Sequence, residues 1–178
     1  MFVKEYKIPE GVEVRVEGNK VKVKGPKGEL EKEFKFPSEI SISVENNKVK
    51  VKSKIDKRKY KALAGTIAAH IRNMMIGVTR GFVYKLKIVY SHFPMNVSVE
   101  EGKVMIRNFL GERTARVAKI VGNTQVKIEG NDIIVSGIDI EEVGQTASNI
   151  EQATRIVGRD RRVFTDGIYI IEKPIRRL

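Results

Sequence analysis

The chain is written twice. Val14-Arg-Val-Glu-Gly-Asn-Lys-Val-Lys-Val-Lys-Gly-Pro-Lys-Gly-Glu29 returns as Val97-Ser-Val-Glu-Glu-Gly-Lys-Val-Met-Ile-Arg-Asn-Phe-Leu-Gly-Glu112, with seven of 16 positions identical at an offset of 83. Ile42-Ser-Val-Glu-Asn-Asn-Lys-Val-Lys-Val-Lys-Ser53 answers to Val126-Lys-Ile-Glu-Gly-Asn-Asp-Ile-Ile-Val-Ser-Gly137 at an offset of 84. Both copies then pass through Ile-Asp (Ile55-Asp56, Ile138-Asp139) into a helical pattern. A solenoid unit runs to roughly 20 to 50 residues, so this period marks a duplicated domain. Two domains are expected, residues 1–83 and 84–178, each able to bury a modest core.

Period-2 alternation predicts strands. Val12, Val14 and Val16 alternate with Glu13, Arg15 and Glu17, and Val21 and Val23 alternate with lysines, across the turn signal Gly18-Asn19. Ile40, Ile42 and Val44 pair in the same way with Val49 and Val51 across Asn46-Asn47. From Asp56 the period lengthens: Tyr60, Leu63, Ala64, Ile67, Ile71 and Met74 or Met75 mark an amphipathic helix, with Gly77 as its expected stop. The second copy repeats the plan. Its strands are Tyr84–Tyr90, Val97–Val99, Val104–Ile106, Val126–Ile128 and Ile133–Val135. Asp139 and Glu142 form a capping box, and the helix buries Val143, Ala147, Ile150, Thr154 and Val157 up to Gly158. Beyond it lies a unit the first copy lacks, the loop Arg159-Asp-Arg-Arg162 and a strand Val163–Ile171 kinked at Gly167. The expected class is α+β: two tandem homologous domains, each a small, mainly antiparallel sheet packed against one helix. The junction near Gly81–Lys85 is short and not Ser- or Pro-rich, so the halves are expected to pack rather than hang on a tether.

The net charge of +12 points to a polyanionic partner, nucleic acid or an anionic membrane surface. Without cysteine there is no disulfide or thiolate chemistry. No basic-then-apolar leader opens the sequence and no apolar run approaches the roughly 18 residues of a membrane span, so a cytoplasmic protein is expected. Catalytic motifs are lacking. His70 reads as a helix packing residue. His92 follows Ser91 directly, a spacing that does not make a triad. Gly25-Pro-Lys-Gly28 lacks the Gly-x4-Gly-Lys-Ser/Thr spacing of a phosphate loop and reads as a turn. No zinc-type or acidic metal cluster stands out, so neither a cofactor nor a metal nor a small-molecule substrate is expected.

The charge is divided unevenly. Residues 1–83 carry 19 Lys+Arg against 10 Asp+Glu, and residues 84–178 carry 15 against 12. Yet 15 of the first 19 are lysine, whereas nine of the second 15 are arginine. The guanidinium fork fits phosphate bidentately and stacks on bases; lysine is a hydrated point charge. The lysine rows Lys20-Lys22-Lys24 and Lys48-Lys50-Lys52-Lys54 lie opposite valines and read as solvated sheet faces. The arginines cluster. Arg107, Arg113 and Arg116, with Lys119, surround the Asn108-Phe-Leu-Gly-Glu loop. Arg155, Arg159, Arg161 and Arg162 fall within eight residues, and Arg176 and Arg177 lie near the end of the sequence. Helix-dipole complementation accounts for Arg155 alone. The rest point to phosphate contacts, with Asn149 and Gln152 adding polar groups from the second helix.

Four stretches carry a resemblance: Tyr90-Ser-His-Phe-Pro-Met-Asn-Val97, Asn108-Phe-Leu-Gly-Glu-Arg113, Val143-Gly-Gln-Thr-Ala-Ser-Asn-Ile-Glu-Gln-Ala-Thr-Arg-Ile156 and Asp160-Arg-Arg-Val-Phe-Thr-Asp-Gly-Ile-Tyr-Ile170. Together with Pro26-Lys-Gly-Glu-Leu30 they resemble the archaeal and eukaryotic branch of protein six of the large ribosomal subunit, over essentially the whole chain. The resemblance implies a non-enzymatic structural protein of the large subunit. It would bind 23S-type rRNA mainly through its C-terminal domain, near the stalk base and the factor-binding sarcin–ricin region, beside other large-subunit proteins. The rRNA-facing candidates it implies are the Asn108–Arg113 loop and the Arg159–Gly167 segment. On the residues and the resemblance together, the expected RNA-binding set is Asn108, Arg113, Arg116, Lys119, Arg155, Arg159, Arg161, Arg162, Arg176 and Arg177. A free RNA-binding module and a phosphoester enzyme are the rival readings.

Overall fold

The computed structural model describes residues 1–91 and 93–176. The chain divides into two compact units, Met1–Gly81 with Arg176, and Phe82–Ile175, so the inner boundary falls two residues ahead of the sequence expectation and Arg176 groups with the first unit rather than the second.

The first unit contains β1 (Phe2–Lys7), β2 (Glu13–Glu17), β3 (Lys20–Gly25), β4 (Gly28–Glu33), β5 (Ile40–Glu45), β6 (Lys48–Ser53) and α1 (Arg58–Thr79). These make two antiparallel sheets, β2-β3-β4 and β1-β6-β5. Alternation sends Val21, Val23, Val49 and Val51 inward, where they are essentially buried against Ala64, Ile67, Ala68, Ile71 and Met75 of α1. The helix runs past Gly77, which is buried inside it, because the stop is Gly81: a left-handed residue (φ +73°) whose N–H donates to Gly77 O at 2.9 Å. Gly25 closes β3 where no side chain fits, since a Cβ there would stand 2.8 Å from the Val78 carbonyl oxygen. The turn after it docks on the end of α1 through Lys27 N–H to Val78 O, 2.8 Å. Gly25-Pro-Lys-Gly28 is therefore a packing turn.

The second unit follows the same order: β7 (Phe82–Val89), β8 (Asn96–Glu100), β9 (Lys103–Arg107), β10 (Arg116–Lys119), β11 (Gln125–Glu129), β12 (Asp132–Gly137), α2 (Ile140–Ala153) and β13 (Gly167–Glu172). Its sheets are β8-β9-β10 and β11-β12-β7-β13. The fold is thus α+β in two tandem repeats. Strand for strand, β8-β9-β10 repeats β2-β3-β4, and β7-β12-β11 repeats β1-β6-β5. Val104, Ile106, Ile133, Val135, Val143, Ala147, Ile150 and Ile168 make the core.

The copies part company in two places. The two-residue link between β3 and β4 becomes the loop 108–115 between β9 and β10. The 22-residue α1 becomes a 14-residue α2, and the chain leaves the helix early to form the segment 154–166 before β13. Here the sequence expectation is corrected. Thr154 is not a further helical residue: its hydroxyl donates to Glu151 O (3.1 Å) and accepts Ile168 N–H (2.9 Å), tying the helix end to β13. Val157 is 77% exposed rather than core. The last strand begins at Gly167, because Val163 N–H and Phe164 N–H both turn back to Asp160 O (3.1 and 2.8 Å). Asp166, fully buried, then accepts from Ser91 N–H (3.3 Å) and Ser91 Oγ–H (3.1 Å). Asp139 caps α2 by accepting Glu141 N–H (2.9 Å), but Glu142 does not complete a capping box; its carboxylate takes Asn123 N–H at 3.2 Å.

Candidate nucleic-acid interface

Both places where the second copy departs from the first carry arginines, and one arginine joins them. Arg116 opens β10. Its Nε and Nη2 donate to the two oxygens of Glu112 (3.0 and 2.8 Å), and its Nη1 donates to Ala153 O (3.0 Å) and Arg155 O (2.7 Å). The guanidinium lies 4.4 Å from the centre of the Phe109 ring. Carbonyls at a helix C-terminus lack intrahelical donors, and a cation there also meets the negative end of the dipole. Arg116 thus satisfies the end of α2 and holds the 108–115 loop against it. Every nitrogen of the fork is engaged inside the protein, which makes Arg116 a clamp between the loop and the helix end.

The loop itself is held under strain. Asn108 (φ +61°) and the buried, non-glycine Leu110 (φ +50°) both sit in the left-handed region, next to Gly111 (φ +75°). Such backbone persists only where its surroundings over-determine it. Phe109 and Leu110 are buried, and Asn108 Nδ2 donates to Pro94 O at 3.0 Å. Asn108 is therefore a loop anchor. Asn149 is anchored too, donating to Lys119 O (3.0 Å) and accepting from Gln145 Nε2 (2.8 Å).

The remaining cations sort by partner. Arg107 is forked onto Glu100 (3.2 and 3.1 Å) and reaches Ser98 Oγ (3.2 Å). Arg162 is paired with Asp160 through Nε (3.2 Å) and Nη2 (3.3 Å), and the hydrogen bonds from Arg162 hold the Asp160 carboxyl below the ordinary aspartate value. Arg159 stacks over the Phe164 ring at 5.0 Å, and its charge adds to that of Arg116 in lowering the Glu112 carboxyl; the hydrogen bond from Arg116 is the larger cause. Arg113, Lys119, Arg155 and Arg161 are exposed, and among the described residues their side chains have no acidic partner. Arg155 and Arg161 line one cavity together with Phe164 and Tyr169. Arg176 is exposed beyond β13, and Arg177 lies outside the described residues.

The lysine rows look different once the register is known. Lys24 stands between Glu13 and Glu29, Lys22 between Arg15 and Glu31, and Lys20 between Glu17 and Glu33. Lys20 and Lys22 reach Glu31 at 2.6 and 3.7 Å, and the hydrogen bond from Lys20 lowers the Glu31 carboxyl. On the other sheet Lys48 and Lys50 share Glu5 (3.6 and 3.9 Å), and Lys50 also reaches Glu45 at 3.7 Å. Lys20, Lys22, Lys48 and Lys50 are thus each paired with a glutamate, whereas Lys52 faces Val3 and Ser41 across its sheet. The sequence reading passed over a different group, Lys57, Arg58 and Lys59 at the start of α1, which Lys54 from the end of the second row joins. None of the four has a carboxylate partner among the described residues. Six basic residues between Lys52 and Lys61, against the single acid Asp56, were the signal that could have found it.

The Ser91 hydroxyl donates to Asp166 Oδ1 at 3.1 Å, and His92 lies outside the described residues. Among the described residues, no three His, Asp or Glu side chains gather as a metal site, and no helix is long and apolar enough to cross a membrane.

Comparison with known proteins places this architecture. The family model for ribosomal protein L6 matches twice, at residues 8–81 and 93–167, once on each copy. The chain belongs to the ribosomal protein L6 family. It is 56% identical over 168 residues to the large ribosomal subunit protein uL6 of Desulfurococcus amylolyticus, covering 93% of this chain and 91% of the relative. To the protein of the same name in Ignicoccus hospitalis it is 54% identical over 172 residues (94% and 92%), and in Aeropyrum pernix 52% over 173 residues (97% and 95%). The family is one of structural, non-catalytic ribosomal proteins, so the enzyme reading falls away. The two family matches coincide with the internal duplication, and the second ends at Gly167, where β13 begins.

Proposed function

We propose that this chain is a structural constituent of the large ribosomal subunit, working in the cytoplasm, and that its second unit holds 23S-type rRNA. The observation that carries the reading is where the copies differ. Duplicated domains start alike; here the second has gained a loop and a helix-end segment that Arg116 binds into one platform, and the exposed guanidinium groups that form no salt bridge among the described residues lie on these two pieces. Arg113, Arg155, Arg159 and Arg161 are the primary phosphate contacts, with Lys119 and Arg162 at their margin and Arg176 and Arg177 as further cations. Arg116 and Asn108 keep the platform in shape.

Structured RNA is met largely through its backbone and shape, so phosphate contacts from a rigid surface suit it. The family resemblance supports a position near the stalk base and the sarcin–ricin region, with neighbouring large-subunit proteins around the first unit. The test is sedimentation of cell extract carrying a tagged copy. The protein is expected in the large-subunit peak, still bound after a moderate salt wash; recovery only in the soluble fraction would sink the proposal.

A further inference from the structure

The segment 154–166 does more than present charge. It walls a cavity of about 430 Å³ whose lining includes Glu151, Gln152, Arg155, Arg161, Phe164 and Tyr169. Small-molecule sites typically enclose roughly 300 to 1,000 Å³ and combine an apolar lining with a few placed polar groups. We infer that this cavity receives a single unpaired nucleotide of structured RNA, with its base against Phe164 and Tyr169 and its phosphate on Arg155 and Arg161. The inference rests on the proposed rRNA-binding role and adds to it a base-holding site.

The walls are fixed in advance. Tyr169 Oη donates to Thr165 O at 2.8 Å, which sets the ring. Phe164 is held by Arg159 over its face and by its own N–H on Asp160 O (2.8 Å). Ile156 is 8% exposed and contributes an apolar surface. Thr154 is occupied at both ends of its hydroxyl, and Glu151 Oε2 accepts Ile170 N–H at 2.8 Å. Among the described residues, the groups left to meet a ligand include the guanidinium groups of Arg155 and Arg161, the Gln152 amide, the Thr165 hydroxyl and the second Glu151 oxygen. An anion alone would call for the two cations. It would not call for two aromatic rings and an isoleucine beside them, nor for a carboxylate, which repels phosphate but accepts the N–H groups of a base edge. Unpaired bases stack on aromatic rings and guanidinium planes and are hydrogen-bonded along their edges.

The test uses the purified full chain and deproteinised large-subunit rRNA, read in two ways: hydroxyl-radical cleavage for the backbone and base-specific methylation for unpaired bases. The wild-type chain is expected to leave a backbone footprint and, inside it, one protected unpaired base. Phe164→Leu keeps apolar bulk at a half-buried site but removes the ring, and Arg161→Gln removes one phosphate partner. Each is expected to keep the backbone footprint, to lose the base protection and to weaken binding roughly tenfold. A base protection that survives both substitutions overturns the inference, as does a wild-type backbone footprint with no protected base inside it. Absence of any wild-type footprint overturns the rRNA-binding proposal instead, so the two failures are told apart. Melting curves of both variants show whether they fold; Tyr169→Leu replaces either one that does not.

Discussion

Arg116 shows how little a residue's type says about its task. It lies in a basic stretch and reads as one more phosphate contact, yet its donors go to Glu112, Ala153 O and Arg155 O. Lysine cannot reproduce that fork. Arg116→Lys is expected to destabilise the second unit by about 2 kcal/mol, the scale of charge-assisted hydrogen bonds in a partly buried site, read as a shift in its thermal midpoint. The partner carboxyl gives the same clamp a pH dependence. Glu112 is held below its ordinary value of about 4.5, chiefly by the hydrogen bond from Arg116. A depressed carboxyl contributes stability above its unfolded value and loses it as pH falls through the folded one. Melting temperature is therefore expected to drop on acidification below about pH 4.5, and Glu112→Gln is expected to flatten that part of the curve; an unchanged curve would refute the assignment. Gly25 is the counterpart in the first unit. A methyl there meets Val78 Cγ2 at 2.7 Å and Val78 O at 2.8 Å, so Gly25→Ala is expected to cost about 2 kcal/mol by overpacking β3 against the end of α1. The arginine clusters were legible from composition. Which arginines are free was not, because Arg116 finds its partners 37 and 39 positions away through the fold.

At the scale of elements, the hairpins were plain because valines alternate between marked turns, and both helices because their apolar spacing lengthens. The errors share a cause: tertiary contacts outweigh local signals. Gly77 reads as a helix stop but is packed within α1, and the left-handed stop is Gly81. Val157 continues the apolar spacing of α2, but Thr154 and Arg116 have already claimed the helix end. β1 was missed because the stretch Phe2–Lys7 alternates weakly, and β10 because four residues beginning with Arg116 look like loop. The start of α1 runs against local preference. Lys57 stands at the N-cap with no side-chain cap, Arg58, Lys59 and Lys61 follow, and no acid occupies the first turn. Cations there oppose the helix dipole, and lysine caps no N–H. Lys57→Asp is expected to stabilise the first unit by about 1 kcal/mol through a cap hydrogen bond and a favourable charge. A melt showing no gain or a loss would mean that the lysine has a structural partner. A sequence that keeps a cation where a carboxylate is more stable fits a surface meeting a polyanion.

Across the whole molecule, net charge and binding charge come apart. The first unit holds the larger excess of cations, but the register of its sheets sets glutamates beside Lys20, Lys22, Lys24, Lys48 and Lys50. A lysine with a counter-ion of its own has little to exchange with RNA, because affinity comes from mobile ions released when free cations neutralise phosphates. Among the described residues Arg155 and Arg161 have no such counter-ion, and Arg159 feels only the more distant charge of Glu112. The contrast is measurable as a salt slope. Replacing Arg155, Arg159 and Arg161 together by glutamine is expected to lower the slope of log affinity against log salt for large-subunit rRNA by about two to three, roughly one for each phosphate contact. Replacing Lys20, Lys22 and Lys24 by glutamine changes formal charge by the same amount. It unbalances the glutamate rows and slows encounter at low salt, but is expected to move the slope by less than about one, since the rows lie within the reach of ordinary screening. Equal slopes from the two triple variants would mean that total charge, not its pairing within the fold, governs the contact, and the division of labour between the copies would have to be abandoned.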